Sequence, residues 1–267
     1  MLDMSTIPSI RIIISVYKNT LYLSKVLDSL AIQKFQKFQV TVAEDGDSEV
    51  MKRFLTTAVY PFEIQHETQE DIGFRKNKIL NQAIRNSKEE LLIFLDGDCV
   101  LHPSYLEQCV AKFNENTVLF AKRVNVDSVS TKTMLQSKRC KPSFWSLFKN
   151  KANHIEDGFY FPWKSVKYTD KPALLGCNMV IPKKVLEAVN GFDEDYELPG
   201  YGEDSDIQWR IQKAGFLFIK MKFLLVQYHL FHERPSREDE TAITRKLYDN
   251  KIKKRIVFCH NGLTKKA

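Results

Sequence analysis

No stretch of this 267-residue chain is an uninterrupted apolar run of the ~20 residues needed to cross a bilayer. Its longest apolar runs, such as residues 91–95 and 216–219, have the length of buried strands. The amino terminus lacks a leader pattern too: residues 1–9 have no basic start, and the apolar run 10–16 passes into polar residues without a small-residue cleavage site. Cysteine is sparse. Cys99, Cys109, Cys140, Cys177 and Cys259 are odd in number and never spaced CxxC, which argues against a zinc site or a disulfide framework and suits a reducing cytoplasm. No internal repeat or low-complexity tract is present.

What is present suits one large α/β domain or two small ones. A hydrophobic content of 43% supports a substantial core, and 27% charged residues is ordinary for a soluble protein. The formal charge of +7 and pI near 9.0 favour an anionic partner, whether nucleic acid, an anionic membrane face or a phosphorylated small molecule. Composition does not choose among them.

Strand-like and helix-like runs alternate through the first hundred residues. Strands are expected at 11–16, 39–43, 62–66 and 91–95, and helices at 20–33, 49–57 and 76–86, where apolar residues recur at helical spacing. Such alternation predicts a mostly parallel sheet covered by helices on both faces. Ligands then bind outside the carboxyl ends of the strands. Residues 128–166 read as a long loop region with short helices, and its aromatics (Phe144, Trp145, Phe148 and Trp163 among them) are expected to pack the loop onto the core. Order returns at 173–181, with helices near 183–189 and 204–214 and one or two strands within 216–227. A basic, helical tail is expected from 238, and its Lys/Arg-rich face offers a membrane contact.

Three clusters carry chemistry. Asp96-Gly97-Asp98 follows an apolar strand and sets two carboxylates around a tight turn, a pattern able to hold Mg²⁺ or Mn²⁺ against a diphosphate. Glu203 and Asp204 sit in a Gly-rich approach to a helix, where one carboxylate could act as general base beside a sugar hydroxyl; Asp206, in the same stretch, suits a purely capping role. His229 and His232 follow a strand end, in a chain with only six histidines, and one of them suits a metal.

These clusters resemble family 2 glycosyltransferases, with the carboxyl-terminal segment shared by galactosyltransferases and chondroitin-polymerase-type enzymes. Ile13-Ile14-Ser15-Val16-Tyr17-Lys18-Asn19 resembles the first strand and loop, Val42-Ala43-Glu44-Asp45-Gly46 the uridine-reading turn, and Gln69-Glu70-Asp71-Ile72-Gly73-Phe74-Arg75 the diphosphate segment. Phe94-Leu95-Asp96-Gly97-Asp98 matches the DxD motif, and Gly176-Cys177-Asn178-Met179, Asn190-Gly191-Phe192-Asp193-Glu194 and Gly202-Glu203-Asp204-Ser205-Asp206 match the acceptor-side and catalytic blocks in order. Cys259-His260-Asn261-Gly262-Leu263 resembles a tail motif of bacterial members. Departures from the family pattern are Leu80-Asn81, where Arg-Asn is frequent, and Leu198-Pro199-Gly200-Tyr201 before Glu203.

The resemblance implies an α/β, GT-A-like, Rossmann-type mixed sheet, mostly parallel and flanked by helices. It implies one domain over 1–237, with a nucleotide-sugar half (1–110) and an acceptor half (111–237), followed by a basic helical tail (238–267). Asp204 would be the catalytic base and Glu203 would orient the acceptor. Tyr17, Asp45, Arg75, Lys78, Asp96 and Gly97 would bind the nucleotide sugar. Asp98, Asp96 and His229, with His232 as second choice, would hold Mn²⁺ or Mg²⁺. The implied enzyme is a hexosyl- or other glycosyltransferase. It would move sugar from a UDP-sugar to a glycan or lipid-linked saccharide in surface polysaccharide or lipopolysaccharide biosynthesis, in the cytoplasm or on the inner membrane face. Inversion is expected, although a retaining mucin-type family shares the same carboxyl-terminal segment. A sugar nucleotidyltransferase is the nearest rival, but Tyr17-Lys18-Asn19-Thr20 after the first strand lacks the expected Gly. A nucleic-acid-binding protein would need a recognition module, and none is found, so no nucleic-acid partner is expected.

Overall fold

β-Branched and leucine-rich runs set the middle of the sheet. Strand β1 (Ile10–Val16) is buried at every position but Ser15. It lies between β2 (Gln39–Glu44) and β4 (Leu91–Asp96), parallel to both, and β3 (Ile64–Glu67) extends the parallel set beyond β2. Burial on both faces explains why these strands read as continuous apolar runs rather than alternating ones. Alternation still governs direction: Ile12 and Ile14 join one core cluster, and Ile13 joins another on the opposite face. The first cluster takes Leu23, Val26, Leu27 and Leu30 of α1 (Thr20–Ala31), and the second takes Ile79, Leu80, Ala83 and Ile84 of α3 (Lys76–Asn86). Asn19 caps α1 by accepting from the Tyr22 amide, and Ser48 caps α2 (Glu49–Thr57) through the Met51 amide.

The computed structural model describes residues 7–137, 139–233 and 236–265. Residues 1–6, read above for a leader, and 266–267, the end of the expected tail, lie outside that range. Beyond β4 the sheet turns mixed. Strand β8 (Met179–Pro182) runs antiparallel to β4 and to β6 (Thr117–Phe120), and β6 is parallel to β9 (Leu217–Lys220). The order is β3-β2-β1-β4-β8-β6-β9, the mixed, mostly parallel sheet flanked by helices that was expected. A small second sheet joins β5 (Cys99–Leu101), β10 (Gln227–His229) and β7 (Val124–Asn125), in the order β5-β10-β7. Helices α4 (Tyr105–Ala111), α7 (Lys183–Ala188) and α8 (Glu203–Lys213) complete the layers.

Residues 128–166 contain α5 (Ser128–Leu135), α6 (Phe144–Lys149) and a 3₁₀ turn (Ile155–Gly158). The expectation that their aromatics pack on the core is overturned for most of them. Leu147 takes the buried position of α6, which turns Trp145 (77% exposed) and Phe148 (66%) outward, and Trp163 is 81% exposed. Tyr160 does pack inward, stacked on His102.

Helix α9 (Glu238–Lys253) ends before the expected tail does, and the chain then folds back onto the body. Asn190 donates to the carbonyls of Cys259 (2.7 Å) and Thr264 (2.8 Å), and Leu263 packs against the second core cluster. Among the described residues no helix is long and apolar enough to cross a membrane.

Candidate active site

The parallel strands β1, β2 and β4 all end at one edge, and the acidic turns lie there. Register places Ser15 opposite Asp96, and the Asp45 amide bonds the Val16 carbonyl at 3.0 Å. Gly97 donates its amide to the Ser15 carbonyl at 2.8 Å. A Cβ at this position would lie 2.9 Å from Val16 Cγ2 and 3.3 Å from Ser15 O, so the turn between the two aspartates can lie against β1 only as glycine. Asp96 Oδ1 accepts from Ser15 Oγ and from Lys76 Nζ, each at 2.9 Å, and Arg123 Nη1 stands 3.9 Å from Oδ2.

Asp98 meets the histidines through the second sheet. Antiparallel pairing sets His229 of β10 opposite Cys99 of β5, and the Leu230 amide donates to the Asp98 carbonyl at 2.9 Å. His229 Nε2 lies 3.4 Å and His232 Nε2 3.3 Å from the same oxygen, Asp98 Oδ2. Burial pushes the Asp98 carboxyl up, but hydrogen bonds from His229 and His232 outweigh it and hold the group well below the usual carboxylate range. The three side chains present ligand atoms that all lie within 4.8 Å of one another. One carboxylate with two imidazoles is a donor set able to hold a divalent ion through oxygen and nitrogen.

A cavity of about 690 Å³ opens over this edge, lined among others by Tyr17, Asp45, Lys76, Asp96, Asp98 and His232. Asp45 accepts from Gln69 Nε2 (2.6 Å) and from the Arg75 amide (2.8 Å), which fixes its carboxylate. Two of the residues expected at the donor lie off the cavity lining. The Arg75 guanidinium turns to the Glu70 carbonyl, and neither Arg75 nor Lys78 lines the cavity. Lys76 does so instead, because it opens α3 at the strand edge and Lys78 is rotated ~200° from it around the helix.

Glu203 and Asp204 open α8 after Gly202, whose φ of 112° belongs to glycine. Asp204 Oδ2 accepts the Gly176 amide at 2.7 Å, and a Cβ on Gly176 would come within 2.6 Å of Asp204 Oδ1. Lys76 Nζ lies 3.7 Å from Glu203 Oε1, so one ammonium joins the Asp96 turn to the Glu203–Asp204 pair. Glu203 Oε2 is buried with no hydrogen-bond partner among the described residues. Burial raises both carboxyls, with Lys76 opposing, and Glu203 is pushed up to about 7. Burial lowers the Lys76 ammonium, but Asp96, Glu203 and Asp204 together hold it well above its ordinary value. Asp206 forms no part of this group: it pairs with buried Arg210 at 2.7 Å.

Of the expected residues, Tyr17, Asp45, Asp96, Gly97, Asp98 and His232 line the cavity; His229 joins them through Asp98 and Glu203 through Lys76, with Asp204 next in the chain, and Ser15, Lys76 and Arg123 are additions. The Arg75-Lys76-Asn77-Lys78 run signalled a cation, but only the helix phase says which one. A family model described as "Glycosyltransferase like family 2" matches residues 8–245. Chondroitin synthase of Pasteurella multocida (strain Pm70) is 24% identical over 264 residues, covering 90% of this chain and 27% of that protein. The chain spans about a third of the length of the curated relatives it matches. Among solved structures, S. aureus TarS 1-349 in complex with UDP-GlcNAc has a TM-score of 0.61 at 16% identity, covering 91% of this chain and 66% of that one. GalNAc-T7 with UDP, GalNAc and Mn²⁺ has a TM-score of 0.62 at 10% identity, with coverages of 90% and 48%. Both are glycosyltransferases of the GT-A fold.

Proposed function

The chain belongs to the glycosyltransferase-like family 2 proteins, and from that membership we propose that it moves a sugar from a UDP-sugar to a hydroxyl of a glycan or lipid-linked saccharide. Inversion at the anomeric carbon and a place in surface polysaccharide or lipopolysaccharide assembly are part of the proposal. One observation carries it: the convergence of Asp98, His229 and His232 beside a cavity that also holds Asp45 and Lys76. The complexes of TarS with UDP-GlcNAc and of GalNAc-T7 with UDP and Mn²⁺ support the donor and ion by analogy.

In this reading residues 1–110 form the donor half, 111–237 the acceptor half and 238–267 a carboxyl-terminal element. Asp45 accepts the uracil N–H, Tyr17 flanks the base, and Lys76 faces the diphosphate. Asp98 with His229 and His232 hold the metal, with Asp96 and Gly97 beside the ribose and diphosphate. When bound, the ion supplies Lewis-acid neutralisation of the leaving diphosphate. Asp204 takes the proton of the acceptor hydroxyl as its oxygen bonds the anomeric carbon; the bond from that carbon to the diphosphate breaks with its electron pair, and UDP leaves. Glu203 orients the acceptor. A single displacement inverts the anomeric centre and needs one base, unlike the carboxylate pair of a glycosidase.

The test is UDP release across a panel of UDP-sugars with Mn²⁺, Mg²⁺ or EDTA. The expected result is release with one or a few donors, faster in Mn²⁺ than in Mg²⁺ and absent in EDTA. Asp204→Asn should cut transfer by roughly 10²–10⁴-fold while UDP binding survives. Silence with every donor in the presence of metal would overturn the reading.

A further inference from the structure

Away from the cavity, exposed aromatic rings run in an unbroken row. Trp145 meets Phe144 (ring centroids 6.4 Å apart), Phe144 meets Phe159 (5.1 Å), Phe159 meets Phe161 (6.1 Å) and Phe161 meets Trp163 (6.1 Å). Phe148 stands beside the row, one helical turn from Phe144. Contiguous apolar surface of this kind marks an interaction site, whereas single exposed rings need no explanation. The fold holds the row in place. Leu147 sits in the third core cluster with Tyr160 packed nearby, and the Phe161 amide bonds the Phe223 carbonyl at 2.9 Å while the two rings meet edge to face.

Charge selects the partner. Residues 139–171 carry seven Lys or Arg against three Asp or Glu, and one of those three, Asp157, is buried and paired with Lys222. Lys149 ends the ring-bearing α6 and Lys151 follows it, and Lys164 and Lys167 follow Trp163, all exposed. Tryptophan and phenylalanine interleaved with long-stemmed lysines form the composition of a lipid headgroup boundary, where rings enter the acyl region and ammonium groups stay with anionic phosphates. A protein interface core is instead depleted of lysine. The tail, expected on composition to offer the membrane contact, is less suited. Helix α9 begins Glu238-Asp239-Glu240, and its Lys251 is buried between Asp193 and Asp195.

We propose that the aromatic–lysine face of residues 144–167 docks the chain on an anionic lipid bilayer. Docking does not depend on the transferase reading, and it goes beyond it. Trp145 and Trp163 are two of the three tryptophans, and the third, Trp209, is half-buried on α8, so intrinsic fluorescence reports on the docking face. The experiment uses the full chain with vesicles of phosphatidylcholine alone or of equimolar phosphatidylcholine and phosphatidylglycerol, and no donor. The expected result is co-sedimentation with the anionic vesicles only, a blue shift of tryptophan emission, and quenching by lipids brominated on the acyl chain. Trp145→Ser/Trp163→Ser should weaken partition about tenfold or more, and Lys149→Glu/Lys151→Glu should also weaken it. Lys246→Glu/Lys253→Glu/Arg255→Glu on the tail should bind as wild type. Unchanged circular dichroism and UDP binding keep each variant interpretable. Equal partition of the tryptophan variant and wild type, loss of binding with the tail variant alone, or no preference for the anionic vesicles would overturn the proposal.

Discussion

Glu203 and Asp204 are carboxyls whose ionised form the fold makes costly, and that cost is the chemical asset of a base. Burial raises both, and Lys76 only partly offsets it. A raised carboxyl binds a proton more readily folded than unfolded, so its stabilising contribution exists at low pH and is lost as pH rises through the folded value. Asp204→Asn and Glu203→Gln should therefore raise the Tm of the protein at pH 8, with a difference that shrinks towards pH 4, as followed by calorimetry. Transfer should move the opposite way. In wild type it should fall as acid protonates Asp204, whose carboxyl burial raises above its ordinary value, and loss of that proposed base should cost roughly 10²–10⁴-fold in kcat. A wild-type rate that stays flat from pH 8 down to the ordinary aspartate value of 3.8 would contradict that assignment. At Gly176 the reasoning is steric. Alanine there would force its Cβ to 2.6 Å from Asp204 Oδ1, so Gly176→Ala should lower kcat while leaving the KM for donor unchanged, measured by steady-state UDP release. Sequence spacing marked Glu203 and Asp204 but not Lys76, because which of three neighbouring cations faces a cavity depends on helix rotation rather than composition.

The elements were legible in proportion to their length and locality. The limits expected for α2 and α3 are those observed, since each has a helical apolar period between clear breaks. Strands β5 and β7, of three and two residues, gave no signal, and their partner β10 lies more than a hundred residues further along the chain. That missing pairing is what brings His229 to Asp98, so the two histidines could be ranked from sequence but not placed. Their supports differ in the fold. His229 is buried inside a strand paired on both sides, and His232 lies beyond the strand with its side chain 40% exposed. A rigidly held ligand keeps its geometry before the ion arrives. His229→Ala should accordingly weaken Mn²⁺ binding more than His232→Ala, and by at least the ~10–100-fold that loss of an outer-shell partner costs. Titration calorimetry with Mn²⁺ on the two variants checks the order, and equal losses would refute it.

At the scale of the whole molecule, the carboxyl-terminal segment acts as a fastener across the second half of the sheet. Lys251 sits between Asp193 (2.5 Å) and Asp195 (2.6 Å), and the loop carrying those aspartates also bonds α3, where Asn77 donates to the Asp193 carbonyl and Asn81 to the Phe192 carbonyl. Asn190 ties the returning chain to the same loop through Cys259 and Thr264. Composition alone showed a basic run and suggested a membrane-facing helix, because nothing in a lysine-rich stretch reveals which lysine is buried. Removing one partner from a buried ion pair strands the other, at about 3–5 kcal/mol, so Lys251→Met should lower the denaturation midpoint by that equivalent at pH 7. The pH dependence has a definite sign. Burial raises the Asp195 carboxyl, but Lys251 lowers it further, and the net value falls below the ordinary 3.8. Its contribution is present above that value and disappears as pH falls through the depressed one. The gap between wild type and Lys251→Met should therefore narrow below about pH 3.8. Turnover should persist in folded Lys251→Met, since Lys251 does not line the cavity; a variant of native stability without activity would instead assign Lys251 to the site itself.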